Sequence, residues 1–275
     1  HPNSALRNAA SDCQKKISKL NTDVSLSSAI YEQLNTITLE ADDKIAVRYQ
    51  KKLLRSYIRS GVSQPAETRK IIRQLQNEIA ELGQLFSKNI RDDVRHITIQ
   101  STDDLKGLPQ DYIDKLDRNE QGQWLITTDY PSVFPFLRYA HSDQHRRAIY
   151  LQFLNRGYPA NKAVLQDIIT KRHQLATTLG YKSYAAYATE TAMIENPENA
   201  AEFINKVNLL ATPRAERDYA QLLDQLQQTQ PNALTVGNWQ KSFLEQQVKK
   251  QHYQFDSKAI RQYFPYQQVK NGVFD

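Results

Sequence analysis

Apolar residues recur at three- and four-residue steps through the first third of the chain. Ala5, Leu6, Ala9, Ala10, Cys13, Ile17 and Leu20 form one stripe behind Asn3 or Ser4 as a cap. That spacing predicts a helix, with Cys13 buried on its apolar face as a small hydrophobe. A second helix is predicted over residues 27–34 and a third over 40–60, ended by Gly61. Pro65 opens a fourth, whose stripe runs through Ile71, Ile72, Leu75, Ile79, Leu82, Leu85, Phe86 and Ile90. Antiparallel packing is the natural way to bury such stripes.

The period changes near Asp93. Val94 with His96-Ile97-Thr98-Ile99, and Trp124-Leu125-Ile126-Thr127-Thr128, are short and β-branched or aromatic, and predict two strands. Leu105-Lys106-Gly107-Leu108-Pro109 reads as a turn, and Asn119-Glu120-Gln121-Gly122 as the tight connection into the second strand. Helices resume after Ser142, an N-cap, and Gly157 stops the first of them. Further helices are predicted from Ala160 to Leu179, from Ser183 through Thr191, and from Asn196-Pro197-Glu198 onward. Pro213 should kink or split the last of these. Gln225 to Gln230 with Pro231-Asn232 is the linker candidate. Trp239 to Gln251 is helical, and a final short helix is expected to end at Tyr263. The fold class is therefore mainly α, a multi-helix assembly interrupted by one small two-stranded β element. The 275 residues suit one large domain or two medium ones. A soft boundary near Gly157 to Pro159 would give regions 1–157 and 158–275.

Composition narrows the classes. Hydrophobic residues make up 40%, enough for a core, and 8 Gly and 10 Pro leave few breaks. No apolar run approaches the length of a bilayer span. A single cysteine excludes an internal disulfide and fits a reducing compartment. The net charge of +6 permits a nucleic-acid or acidic partner, but the charges are mixed along the chain. The densest basic run, Arg48 to Arg59, interleaves Lys51, Lys52 and Arg55 with Tyr49, Leu53, Leu54, Tyr57 and Ile58, and reads as the wet face of an amphipathic helix. The chain begins at His1 without a Met or a signal-like segment, so a processed product or an excised piece is expected.

Candidate chemistry is sparse. His141 and His145 have the spacing of a helical zinc pair. Ser142, however, stands where a metallopeptidase needs Glu and would cap the helix, leaving His141 outside it. Asp92, Asp93 and His96 could form a small acidic site, but fit a solvated helix-to-strand junction better. No G-x-G-x-x-G, P-loop, G-x-S-x-G or H-E-x-x-H occurs in the sequence. The 15 tyrosines are spread rather than grouped into a base-stacking platform.

Four segments together carry a resemblance. The first is Phe86-Ser87-Lys88-Asn89 with Asp92, then Leu105 to Pro109. The second is Thr127-Thr128-Asp129-Tyr130-Pro131, Phe134-Pro135-Phe136, Tyr139-Ala140, Arg146-Arg147 and Asn155-Arg156-Gly157. The third is Arg172, Leu175-Ala176, Leu179-Gly180-Tyr181, Ser183-Tyr184-Ala185 and Tyr187, with Met193 and Pro197. The fourth is Trp239, Tyr253, Phe255-Asp256, Arg261-Gln262-Tyr263-Phe264-Pro265, Val269, Gly272 and Phe274. In this order the segments resemble the thimet oligopeptidase and oligopeptidase A family of zinc metallopeptidases. The chain departs from that pattern at Gln240, where an Asp usually follows the Trp, and at Phe243, where a Tyr is common.

The resemblance implies a helical, two-lobed peptidase around a narrow channel for short peptides, with one zinc held by H-E-x-x-H and a later Glu. All those positions would lie beyond Asp275. No catalytic or metal-binding residue is therefore assigned here, and substrate-binding residues stay unassigned. Zinc is expected in the parent enzyme and none on this chain. The expected partners are short peptides and the missing catalytic domain, with no membrane. Self-association through Phe264, Val269 and Phe274 is expected, as is a cytoplasmic location. The rival readings are a free-standing helical interaction protein and a basic nucleic-acid binder.

Overall fold

The computed structural model describes residues 4–254, 260 and 263–274. The chain divides into two compact units, each built from two segments: residues 1–92 with 157–204, and 93–156 with 205–275. Each unit thus takes one segment from either side of residue 157. The mainly α class holds, with one two-stranded antiparallel sheet among the described residues.

In the first unit, α1 (Ser4–Ser25), α2 (Ser28–Thr36), α3 (Lys44–Ser60) and α4 (Ala66–Asp92) follow the periodic stripes. Ser27 caps α2 by accepting from the Ile30 N–H, and Asp43 caps α3 by accepting from Ala46. Gly61 closes α3 at φ 97, where its N–H and that of Val62 satisfy the Ile58 and Tyr57 carbonyls. α4 packs against α8 (Ala160–Thr178) and α1, around Leu26, Ile72, Leu75 and Leu175. Two polar ties span the α4–α8 seam. Asn161 donates to the Phe86 carbonyl and accepts from Asn89, and Lys171 pairs with Glu78.

The stripe on α1 is not buried as expected. Leu6, Ile17 and Leu20 are exposed, and so is Cys13. The side of α1 that meets α4 carries Ser11, whose hydroxyl bonds Gln84, and Thr22, which is buried. Part of that seam is an open groove, lined by Leu6, Ser11, Gln14 and Ser18 of α1 and by Ala80, Gly83 and Ser87 of α4. Cys13 is therefore expected to react with a thiol reagent in the native protein at the rate seen after unfolding. A rate slowed by a hundredfold or so in the native state would contradict its placement.

α9 (Tyr184–Thr189), capped by Ser183, is held by a latch on the following turn. The Glu190 carboxylate accepts from Arg55 (2.8 Å), Arg59 (2.7 Å) and the Tyr181 hydroxyl (2.6 Å). The Arg55 bond does most to hold the Glu190 carboxyl below its usual range, followed by the Tyr181 bond. A carboxyl with a depressed folded pKa stabilises the fold above its unfolded value and loses that contribution as pH falls through the folded value. Amide exchange over residues 184–196, corrected for intrinsic rates, should rise below about pH 4, and Glu190→Gln should bring that rise to neutral pH. Equal protection at both pH values would refute the latch.

In the second unit, β1 (His96–Ile99) pairs with β2 (Trp124–Thr127), with His96 opposite Thr127 and Ile99 opposite Trp124. The alternation sends Ile97, Ile99, Trp124 and Ile126 to one face, and Leu125 and Thr127 to the other. The first face meets the core of Leu105, Leu108, Val133, Phe136, Leu137, Ala140 and Ile149. Three of those residues come from α6 (Tyr130–Tyr139), which the pattern did not predict. Pro131 and Pro135 read as breakers, yet Pro131 sits in the first turn, where its missing N–H costs nothing. α5 (Gln110–Ile113) is a further short addition, and α7 (Asp143–Leu154) begins after Ser142 as expected.

α10 (Pro197–Gln227) runs from one segment set into the other and is not split by Pro213. Gln225 to Gln227 belong to this helix, with Leu226 buried, so the glutamine run is its last turn rather than a linker. α11 (Asn238–Tyr253) matches its stripe. The predicted helix ending at Tyr263 falls mostly outside the described residues, and α12 (Tyr266–Phe274) follows it. No described helix is long and apolar enough to cross a membrane.

Candidate functional site

At the start of α7, Arg146 is only 3% exposed. Its guanidinium donates to the Ala140 and His141 carbonyls and to Asp143 Oδ1 (2.7 Å), and lies 4.1 Å over the Phe243 ring. Its Nε has no hydrogen-bond partner among the described residues. Asp143 also accepts from the Trp239 indole and from Gln240 Nε2 (3.0 Å). Burial pulls the Arg146 pKa below its ordinary value, and Asp143 offsets part of that pull. This knot ties α6, α7 and α11 together. It also gives a reason for Gln240, which stands where the resemblance expects Asp. The Gln240 amide donates to Asp143 while its oxygen accepts from the Gly237 N–H (2.8 Å). A second carboxylate there would oppose the first.

His141 and His145 do not share a helical face. His141 precedes the Ser142 cap position, is exposed, and stands edge-on to Phe243. The Ser142 hydroxyl bonds His145 Nδ1 (2.8 Å) instead of capping the helix, and Asp104 approaches the same nitrogen at 3.5 Å. With both partners on one ring nitrogen, this is not a relay in which a base is oriented from its far side. Asp92, in the first unit, pairs with Lys88 and Arg91. Asp93, in the second, takes Arg95 through both carboxylate oxygens. Among the described residues no three His, Cys, Asp or Glu side chains converge as a metal cluster would. None of the arrangements above supplies the donor set of a catalytic zinc.

Two concave features lie among the described residues of the second unit: a wider one of about 650 Å³ beside the 105–108 turn and Trp124, and a groove of about 450 Å³ between residues 109–117, the outer face of β2, and α6. The groove's position follows from the sheet register, which turns Leu125 and Thr127 outward. The wall is fixed by Ser132, whose hydroxyl accepts from the Thr127 N–H (3.0 Å), and by Thr128, whose hydroxyl accepts from the Arg95 N–H. The Tyr112 hydroxyl donates to the Ser132 carbonyl (2.7 Å), and burial pushes its pKa up to about 12. Tyr112 is therefore a neutral strut. What the groove offers is binding: prolines and aromatic rings below, and charges of both signs at the rim. Sequence reasoning missed it because one of its walls is α6, a helix that the pattern of apolar positions did not predict.

The model of Peptidase family M3 matches residues 136–275, half of the chain, and the chain belongs to that family. It is 25% identical to the thimet-like oligopeptidase of Dictyostelium discoideum over 98% of this chain and 42% of the relative. It is 27% identical to oligopeptidase A of Escherichia coli over 89% of the chain and 37% of the relative. It is 25% identical to saccharolysin of Saccharomyces cerevisiae over 98% of the chain and 40% of the relative. The resemblance to thimet oligopeptidase and oligopeptidase A is thus borne out, and the chain spans about two fifths of the length of these relatives.

Proposed function

We propose that this chain is the N-terminal, non-catalytic portion of a zinc-dependent oligopeptidase that hydrolyses short peptides. The observation carrying the proposal is the family match over residues 136–275 in a chain whose sequence contains no H-E-x-x-H. In this reading the metal and the general base reside in a further portion. This chain supplies scaffold and wall, binds no catalytic zinc, and hydrolyses nothing alone. Its partner is then that catalytic portion, and a cytoplasmic location belongs to the same proposal. Phe264, Val269 and Phe274 are exposed on and beside α12, which supports an apolar contact there or, without it, self-association.

The test is hydrolysis of an internally quenched peptide. The chain alone should give no turnover with or without added zinc. The same chain joined to whatever follows codon 275 in its gene should give turnover that a chelator abolishes. Chelator-sensitive cleavage by the chain alone would refute the proposal. So would a stop codon directly after Asp275.

A further inference from the structure

We propose that the groove beside β2 and α6 captures a short peptide by its C-terminal carboxylate, away from any reaction centre. The inference rests on the reading that the parent protein handles short peptides. Its volume, about 450 Å³, lies in the range of small-ligand sites. Two cations at its edge, Arg138 on α6 and Lys115 on the facing segment, make no side-chain hydrogen bond or ion pair among the described residues. Elsewhere on this molecule arginines are commonly engaged, as Arg55, Arg59, Arg95 and Arg146 are. An arginine left open over a concave surface is suited to a carboxylate, which it can grip with two parallel N–H bonds.

The remaining chemistry fits a peptide rather than a simple anion. Pro135 has no N–H, so the carbonyl of Pro131, one turn earlier on the same wall, lacks its helical donor. The Tyr112 hydroxyl is occupied by Ser132, so the ring offers apolar surface, continued by Leu116 and Leu125. Asp111 and Asp117 also line the groove. They oppose a polyanion such as a phosphate chain, whereas a peptide with a free amino terminus and a free carboxylate answers both signs.

The experiment is a titration of the isotope-labelled chain with unlabelled Gly-Pro-Ala-Leu, followed by amide chemical shifts. Saturable shifts are expected at Thr127, Ser132 and Tyr139 in the millimolar range or tighter. Amidating the peptide C-terminus should weaken binding by about tenfold, as should Arg138→Ala, the loss of one charge-assisted contact. Lys115→Ala should weaken it less. Both side chains are exposed, and circular dichroism will show that each variant folds. A third peptide, amidated and carrying an internal Glu, separates the two sources of a carboxylate. If it binds as well as the free acid, terminal capture is refuted. Equal affinity for acid and amide, no effect of Arg138→Ala, or absence of saturable shifts would also overturn the inference. None of those results would touch hydrolysis by the joined chain. Loss of hydrolysis with binding intact would fall on the proposed function alone.

Discussion

Asp143→Ala is expected to cost about 3 kcal/mol of stability, the range seen when one partner of a buried ion pair is removed. The magnitude follows from what remains. Arg146 would keep its charge in a place where it is 3% exposed, with the Ala140 and His141 carbonyls as its only acceptors. Trp239 and Gln240 would lose their acceptor together, so the start of α11 would loosen along with α7. Urea unfolding followed by circular dichroism reads the loss without relying on Trp239 emission, which the substitution disturbs directly. The double substitution Asp143→Ala with Arg146→Met should recover part of that loss, because it removes the stranded cation. An Asp143→Ala midpoint within error of the parent would refute this account. So would a double variant whose loss equals or exceeds the sum of the singles.

The knot also shows what the sequence could and could not reveal. The helix of Arg146 was legible, because Ser142 and Gly157 frame it and the apolar residues keep their period. The pairing of Asp143 with Trp239 and Gln240 was not, since nearly a hundred positions separate them and no local pattern couples them. The same limit applies to Glu190, which answers arginines on α3. α6 failed for another reason. Pro131 and Pro135 argue against a helix in isolation, and burial of Val133, Phe136 and Leu137 overrides them. On α1 the period was right and the facing was wrong. An apolar stripe states that a helix will form, and the partner decides which side is covered. α4 brings the small residues Ala80, Gly83 and Ser87 to the seam, which stay too short to cover the apolar stripe and leave an open groove there. The groove beside β2 was hidden with α6, the wall that the pattern did not predict. The resemblance motifs were legible as marks of a family, and the structure gives several of them a physical role. The Thr127 N–H fastens β2 to Ser132 of α6, the Thr128 hydroxyl holds the Arg95 N–H just before β1, and Gln240 adapts the knot to a missing carboxylate.

Gly107→Ala is the second large effect expected, and it tests the turn that the sequence marked by Leu105 to Pro109. Gly107 has φ +90, a region that costs an L-residue roughly 1–2 kcal/mol. Space is the greater difficulty. A Cβ there would lie 2.4 Å from His141 Cδ2 and closer still to the Tyr139 carbonyl oxygen. His141 could swing, because it is exposed, but the carbonyl belongs to the last turn of α6 and cannot move alone. The Lys106 carbonyl, adjacent in the chain, accepts from the His141 N–H (3.0 Å), so separating the strands of this contact would break that bond too. Strain and displacement together put the expected loss at about 3–4 kcal/mol. Gly122→Ala supplies the control. It shares a positive φ of +76 but has nothing within 4 Å of the added carbon, so only the backbone cost of about 1–2 kcal/mol should appear. Paired urea curves decide the matter. If both substitutions cost the same, backbone conformation explains everything and the close approach of this turn to α6 carries no weight. A clear excess at Gly107 means that the turn is pinned against the helix wall of the groove, and that the groove's shape depends on a residue with no side chain.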